Sequence, residues 1–285
     1  MKEAVITRIV SNRYSVYFEG EFIIATAMGK LRLGDKPIVG DYVHIEGVRG
    51  EMGCIQRVLP RRNQLIRPLV ANVDQALIVM SAKEPDFSFT LVNRLIFLVS
   101  LQNINPIIIV SKSDLADEAL KQNILDEYEK YGYQVIMSGS NLPTDPLEAI
   151  MKGKISVLAG QSGVGKSSIL NRISDDLELN TQEISKALGR GRHTTRHNQI
   201  YPLCGGWIAD TPGFSSLDFS TVDPLELSQA IPDFAPYIGN CKYRDCMHIK
   251  EPGCIIKENV ESGAISKQRY QDYLDCLTLI KEESR

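Results

Sequence analysis

One segment of this chain reads Gly160-Gln161-Ser162-Gly163-Val164-Gly165-Lys166-Ser167. It matches the pattern G-x-x-x-x-G-K-[ST], in which glycines let backbone N–H groups close around phosphate oxygens. An apolar run at 155–159 precedes the segment, and a helix-like run at 168–177 follows it. A phosphate-binding loop needs a buried strand before it and a helix after it, and a chance glycine-rich turn would lack that context. The segment therefore predicts a nucleoside phosphate site in an α/β domain.

The polar residues of this loop have expected ligands. Lys166 should reach the β- and γ-phosphates of the nucleotide, and the hydroxyl of Ser167 should bind Mg²⁺. The N-terminus of the following helix adds its positive end to the site. The nucleotide-binding residues predicted for this part of the chain are Gly160, Gln161, Ser162, Gly163, Val164, Gly165, Lys166, Ser167 and Ser168.

A second motif, Ser111-Lys112-Ser113-Asp114, follows the apolar run 106–110 and is also predicted to bind the nucleotide. The Asp114 carboxylate can accept hydrogen bonds from N1–H and N2–H of guanine, a pair that adenine does not offer. The Lys112 stem can cover the ring face of the base. The usual first residue of the motif is Asn, and the shorter Ser111 spans less distance. A surface Lys/Asp pair is the alternative for so short a pattern, but its context here favours guanine.

A third motif, Asp210-Thr211-Pro212-Gly213, follows a strand-like run at 206–209. Asp210 should hold Mg²⁺ through water, and the Gly213 amide should sense the γ-phosphate. The next residue is Phe214, whose ring cannot orient an attacking water, so a catalytic polar group must come from elsewhere. In an ordinary GTPase the phosphate loop comes first and the base-reading motif comes last. The order here is rotated, which indicates a circularly permuted P-loop GTPase domain.

The basic loop 189–197, between the phosphate loop and Asp210, is the predicted switch segment. The hydroxyl of Thr194 or Thr195 can close over Mg²⁺, and His193 can orient or polarise the attacking water as the catalytic residue. The arginines of the loop could instead grip RNA phosphates, or the loop could be a solvated basic segment. The first two interpretations are compatible with each other.

A cluster of three cysteines and one histidine lies near the C-terminus, with the spacing C-x4-C-x-H-x5-C. Three thiolates and one imidazole complete a tetrahedral Zn²⁺ shell with no open position, which is typical of a structural site. The spacing is not a common zinc-finger pattern. The predicted ligands of one zinc ion per chain are Cys241, Cys246, His248 and Cys254.

Composition and periodicity predict a multidomain chain. The 285 residues are 43% hydrophobic and 24% charged, with a formal net charge of -3, so the chain as a whole is not a basic nucleic-acid binder. Residues 1–68 nevertheless carry eleven Lys and Arg against seven Asp and Glu. No apolar run approaches the roughly 18 residues that span a bilayer, and the N-terminus does not resemble a signal peptide. We expect a cytoplasmic protein.

Three domains are expected. About five short strands in the first ~60 residues suit a small β-barrel of the OB kind at 1–66, for ribosome or RNA binding, although a barrel that acts as a spacer fits too. Alternating strands and helices at 67–220 predict an α/β GTPase domain with a mostly parallel sheet. Residues 221–285 should form a small, mostly helical zinc-binding domain that ends in an amphipathic helix at 266–283.

With these features the whole chain resembles the circularly permuted ribosome small subunit-dependent GTPase A family. The shared features are the OB barrel, the permuted motifs, a Gly-Arg-His-Thr-Thr switch, Asp-Thr-Pro-Gly-Phe and the zinc knuckle. The resemblance implies a GTPase that binds the small ribosomal subunit, is stimulated by it and acts late in its maturation. It also supports His193 as the catalytic histidine and the Cys/His cluster as zinc ligands. The chain departs from the family at Ser111 and at Met137-Ser138-Gly139-Ser140, where the other base-contacting loop should lie.

The expected partners are GTP or GDP with Mg²⁺ and the small ribosomal subunit including its rRNA, with no membrane, and the chain is expected to be a monomer. A second hypothesis is a passive RNA-binding module whose nucleotide only orders the fold. A third, a metabolic kinase with a phosphate loop, is disfavoured because no acceptor-substrate motif is visible and the base-reading Asp114 is present.

Overall fold

The structure is a computed structural model that describes residues 2–32, 36–49, 52–65, 68–176, 199–209 and 217–283. The chain divides into two compact units. The first comprises Met1–Gln75, Thr144–Leu158 and Ser167–Gly213. The second comprises Ala76–Pro143, Ala159–Lys166 and Phe214–Arg285.

The N-terminal strands of the first unit form a closed barrel of order β1-β2-β3-β5-β4. Neighbouring strands run antiparallel except β3 and β5, which are parallel. Apolar residues alternate inward along the strands, as Tyr14, Val16 and Phe18 do. The predicted five-stranded barrel of the OB kind is confirmed. Its strands are β1 (Lys2–Val10), β2 (Arg13–Phe18), β3 (Glu21–Ala27), β4 (Tyr42–Arg49) and β5 (Met52–Val58).

After a short antiparallel pair, β6 (Gln64–Leu65) and β7 (Val70–Ala71), strands and helices alternate. The strands are β8 (Gln75–Ser81), β9 (Asn105–Ser111), β10 (Gln134–Met137), β11 (Ile155–Ala159), β12 (Ile200–Leu203) and β13 (Gly206–Ala209). The helices are α1 (Phe89–Ser100), α2 (Glu118–Tyr128), α3 (Asp145–Met151) and α4 (Lys166–Asp176).

The strand order is β10-β9-β8 in the second unit and β11-β13-β12 in the first. β10 is parallel to β9 and β11 is parallel to β13, whereas β12 pairs antiparallel with β13. Every residue of β8 and of β11 is buried. Both strands are covered on both faces, which explains their nearly continuous apolar sequences. The predicted α/β domain with a mostly parallel sheet is confirmed, although β12 was not predicted.

The C-terminal part of the second unit is mostly helical, as predicted. It contains α5 (Pro224–Ala230), α6 (Ile255–Ser262) and α7 (Lys267–Glu283). Gly263 ends α6 with a φ of 80°, a left-handed conformation that glycine adopts without strain. Of the helices in the described parts of the chain, none has both the length and the apolar character that crossing a membrane requires.

Candidate functional site

The phosphate loop joins the buried strand β11 to helix α4. Gly160 has a φ of 133°, and a Cβ at this position would lie 2.3 Å from the Val79 carbonyl oxygen. Gly163 and Gly165 also have positive φ values, 84° and 91°. Only glycine meets these conditions without strain, so the three glycines of the motif fix the path of the loop. Val164 is fully buried and anchors the loop to the interior.

The Lys166 ammonium lies over this loop. Its Nζ donates to the carbonyl oxygens of Gly160, at 2.7 Å, and of Gln161, at 2.6 Å. Burial, which penalises the charged form, lowers the pKa of Lys166. A phosphate group beside the ammonium would favour its charged form. The lysine is therefore in place to bind an anion held by the loop. Ser167 and Ser168 follow it in the first turn of α4.

Ser111, at the end of β9, connects the guanine motif to the phosphate loop. Its side chain is buried, and its Oγ donates a hydrogen bond to the carbonyl oxygen of Val164. A Cβ at Gly165 would lie 3.4 Å from the same Oγ, so the two segments are in van der Waals contact. The serine hydroxyl is thus long enough for this contact, even though it is shorter than the usual asparagine.

Asp114 is held by the loop that follows β10. The hydroxyl of Ser140 donates to Oδ2 of Asp114 at 2.7 Å, and the Ser113 amide donates to the Ser138 carbonyl at 3.0 Å. A Cβ at Gly139 would lie 2.5 Å from Oδ1 of Asp114, so a larger residue at this position would displace the carboxylate. Segment 138–140, where the sequence departs from the family pattern, therefore lies against the carboxylate of Asp114, the predicted base reader.

Lys112 has a contact that sequence reasoning missed. Its backbone is left-handed, with a φ of 50°, and its Nζ donates to the carbonyl oxygen of Glu84. Glu84 belongs to the connection between β8 and α1, which carries no nucleotide motif. No sequence signal identified this segment as part of the site.

Five of the predicted nucleotide-site residues lie in segments that the structure does not describe. Segments 177–198 and 210–216 lie outside the described residues. The predicted residues in these segments are His193, Thr194, Thr195, Asp210 and Gly213.

The four predicted zinc ligands converge, with ligand atoms all within 4.8 Å of one another. The Nδ1 of His248 lies 3.7 Å from the sulfur of Cys241 and 3.4 Å from that of Cys254, and these two sulfurs are 4.0 Å apart. Ligands at the corners of a zinc tetrahedron with 2.3 Å bonds would be roughly 3.8 Å apart. Burial raises the pKa of the Cys246 thiol to about 12, so a metal bound there would displace a proton. The cluster could hold a metal ion.

The ligand-bearing loops are fixed by hydrogen bonds to their main chain. The hydroxyl of Tyr270 donates to the His248 carbonyl at 2.6 Å, and that of Tyr273 donates to the Met247 carbonyl at 2.7 Å. The Glu251 carboxylate accepts from the amides of Met247, Ile249 and Lys250. Helix α7 therefore supports the cluster through the hydroxyls of two tyrosines.

Comparison with known proteins identifies the family of this chain. A family model described as RsgA GTPase matches residues 58–220. The protein named Small ribosomal subunit biogenesis GTPase RsgA from Enterococcus faecalis is 45% identical over 97% of this chain and 94% of that protein. The chain belongs to the RsgA GTPase family. A protein of the same name from Shouchella clausii is 41% identical over 100% of this chain and 99% of that protein.

Solved structures resemble this RsgA family member over its full length. The crystal structure of YloQ, described as a circularly permuted GTPase, has a TM-score of 0.83, 36% identity and coverage of 100% of this chain and 96% of that one. YjeQ from Thermotoga maritima has a TM-score of 0.82, 32% identity and coverage of 100% and 99%. The rotated motif order of this chain is thus a property of a permuted GTPase fold.

Membership of the RsgA GTPase family makes the chain a GTP hydrolase. In the described residues, the Lys166 ammonium lies over the predicted phosphate loop, Ser140 holds the Asp114 carboxylate, and the Ser111 hydroxyl connects the two motifs. These groups are predicted to bind the nucleotide, and the predicted catalytic residue, His193, lies outside the described residues.

Proposed function

We propose that this protein binds the small ribosomal subunit and hydrolyses GTP to GDP and phosphate during late maturation of that subunit, with hydrolysis stimulated by the subunit. One observation carries the nucleotide part of the proposal. The hydroxyl of Ser111 contacts the Val164 carbonyl although the two residues are 53 positions apart, so the base motif and the phosphate loop form one site. The relatives' names support the ribosomal part.

Each motif has a proposed role in this reaction. The amides of 160–168 and the Lys166 ammonium bind the phosphates, and the Ser111–Asp114 motif selects guanine through the Asp114 carboxylate. Ser167, Asp210 and either Thr194 or Thr195 hold Mg²⁺, which neutralises phosphate charge when bound, and Gly213 senses the γ-phosphate. His193 orients the attacking water.

The Cys/His cluster is proposed to hold one structural zinc ion. The donor set supports this, because three thiols and one imidazole match the four-ligand closed shells of structural zinc sites. Its role would be to fix the loops that precede α6 and α7. Zinc is not proposed to take part in hydrolysis.

Binding to rRNA is proposed for the barrel and for the basic loop 189–197. The surplus of Lys and Arg over Asp and Glu in residues 1–68 supports this, because basic groups near RNA release counterions. A ribosomal partner supports the proposal that the protein acts in the cytoplasm and without a membrane, and we propose separately that it is a monomer. Domain boundaries at 66/67 and 220/221 are proposed from the changes of strand and helix pattern along the sequence.

The test is GTP turnover measured with and without purified small ribosomal subunits. We expect slow turnover by the isolated protein and much faster turnover when subunits are added. If the protein binds small subunits while turnover stays at the same low rate with and without them, it is a passive RNA-binding module whose nucleotide has a structural role.

A further inference from the structure

Two residues with left-handed backbones contact each other at the edge of the guanine motif. Glu84 has a φ of 52° and Lys112 a φ of 50°, and the Lys112 ammonium donates to the Glu84 carbonyl oxygen. This backbone region is unfavourable for residues other than glycine, so each conformation must be maintained by its surroundings. Residues held in this way are concentrated at ligand clamps and active sites. The pair therefore points to a function for the segment that carries Glu84.

That segment, the exposed connection 83–86 between β8 and α1, is fixed at both ends. Ser81 is fully buried at the end of β8, and its Oγ donates to the Pro85 carbonyl at 2.6 Å. The Ala82 amide donates to the Ser111 carbonyl at 2.9 Å. At the far end, Ser88 caps α1 by accepting from the Leu91 amide at 3.3 Å. The hydrogen bond from Ser81 to Pro85 thus closes a short loop that contains Glu84, whose carbonyl accepts from Lys112.

We propose that Ser81 is a positioning residue for guanine recognition. Its hydroxyl fixes the connection 83–86 so that the Glu84 carbonyl holds the Lys112 ammonium. With its end held, the Lys112 stem is kept extended beside Asp114, where it can cover the ring face of the base. The inference rests on the proposed binding of guanine nucleotides, which it deepens by assigning a wall of the base pocket that carries no nucleotide motif.

The first test is GDP affinity of Ser81→Ala, measured by isothermal titration calorimetry on the full chain. Losing one hydrogen bond that fixes the connection should weaken GDP binding about three- to tenfold. The affinity for inosine diphosphate should fall by the same factor, because contact with the ring face does not read the exocyclic amino group. Ser228→Ala is the matched control: Ser228 is also fully buried and donates to a main-chain carbonyl, that of Leu225, at 2.7 Å, but lies on α5. It should bind GDP as the wild type does.

Lys112→Met separates positioning from a general loosening of the fold. This variant keeps an apolar stem and removes the ammonium that binds the Glu84 carbonyl. If Ser81 acts through Lys112, Ser81→Ala adds no further loss of GDP affinity in the Lys112→Met background. The same three- to tenfold loss in both backgrounds, about the range of one hydrogen bond, would overturn the inference.

A second pair of variants tests the carbonyl itself and remains informative should Ser81→Ala fail to fold. Glu84→Gln keeps the backbone and should bind GDP normally. Glu84→Pro cannot adopt a φ of 52° and must displace the carbonyl from Lys112, at an exposed position where the fold tolerates change. It should weaken GDP binding, and wild-type affinity in this variant would overturn the inference. A wild-type protein that binds no guanine nucleotide would instead refute the proposed function.

Discussion

The guanidinium of Arg269 is completely buried, and its Nε lies 2.9 Å from both carboxylate oxygens of Asp233, which is also buried. Its other nitrogens donate to the Asn93 side chain and to the side chain and carbonyl of Glu127. The rings of three tyrosines surround the cation, with the centroid of Tyr133 at 4.7 Å. One charged residue therefore fastens α7 to α1, α2 and the start of β10 within the second unit.

Replacing Arg269 by Met should destabilise the protein strongly. The variant keeps the length of the side chain but leaves the buried carboxylate of Asp233 without its counter-ion, a change that typically costs about 3–5 kcal/mol. The free energy of unfolding in urea, followed by circular dichroism, measures the loss. Adding Asp233→Asn should recover part of it, because the unpaired charge is then gone.

An exposed ion pair provides the control for this prediction. Lys121 and Glu118 lie 2.7 Å apart on the surface of α2. Pairs of this kind contribute less than about 1 kcal/mol, so Lys121→Met should have a small effect. Equal effects of Arg269→Met and Lys121→Met would show that the buried pair does not hold the helix in place.

The Arg269 cluster shows where sequence reasoning ends. The apolar period over 266–283 predicts α7 as an amphipathic helix, and Tyr273, Leu277 and Ile280 are buried along it. Arg269 and Asp272 lie on or near the same face but are charged, and charged side chains are almost never fully buried unless they are paired. Their burial depends on Asp233, Asn93 and Glu127, which are distant in sequence and become neighbours only in the folded chain.

The predicted nucleotide site also has features that the sequence predicts and contacts that it does not. Its motifs can be predicted because phosphate and guanine chemistry fixes both residue type and spacing, as in Gly160–Ser167. The contacts of Ser111 with Val164 and of Ser140 with Asp114 could not be predicted, since each joins two loops by a single hydroxyl. Serine hydroxyls are too common to signal such a contact. The barrel, in contrast, was predictable from alternation and short turns alone.

Asp114→Asn should change base preference. Asparagine offers an amide donor where the guanine N2 amino group needs an acceptor, whereas xanthine presents a carbonyl at that place. We expect GDP affinity to fall about 10- to 100-fold, the range for lost hydrogen bonds to a charged group, and affinity for xanthosine diphosphate to rise. Direct titration with both nucleotides measures the change. Unchanged GDP binding would rule out this residue as the base reader.

Gly139→Ala provides an independent check on the same carboxylate. The added Cβ would lie 2.5 Å from Oδ1 of Asp114, so the carboxylate must move and GDP affinity should fall. Gly29→Ala is the matched control, because a Cβ at Gly29 meets no atom within 4 Å. Phosphate binding through Lys166 should remain in both variants, which can be checked with inorganic triphosphate.

Cys246→Ser should remove the metal and loosen its loops. The purified wild-type protein should contain close to one zinc per chain by elemental analysis, and the variant much less. Hydrogen exchange should accelerate around 241–254, while GDP affinity stays within about twofold because the cluster contributes no group to the nucleotide site. Cys204→Ser is the control: this half-buried cysteine lies outside the cluster and should leave zinc content unchanged. A metal-free wild-type protein would contradict the zinc assignment.

The last prediction concerns catalysis. Phe214 follows Asp-Thr-Pro-Gly and has no polar group to orient water, so another residue must do this, and His193 lies in the predicted switch segment beside Thr194 and Thr195. A group on such a loop can be ordered by the partner, which would make intrinsic turnover slow and stimulated turnover fast. We expect His193→Ala to bind GTP and small subunits normally but to lose subunit-stimulated hydrolysis on the order of 10²-fold. Lys166→Ala should instead weaken nucleotide binding. Wild-type stimulated turnover in His193→Ala would show that the histidine is an RNA contact and that a different residue positions the water.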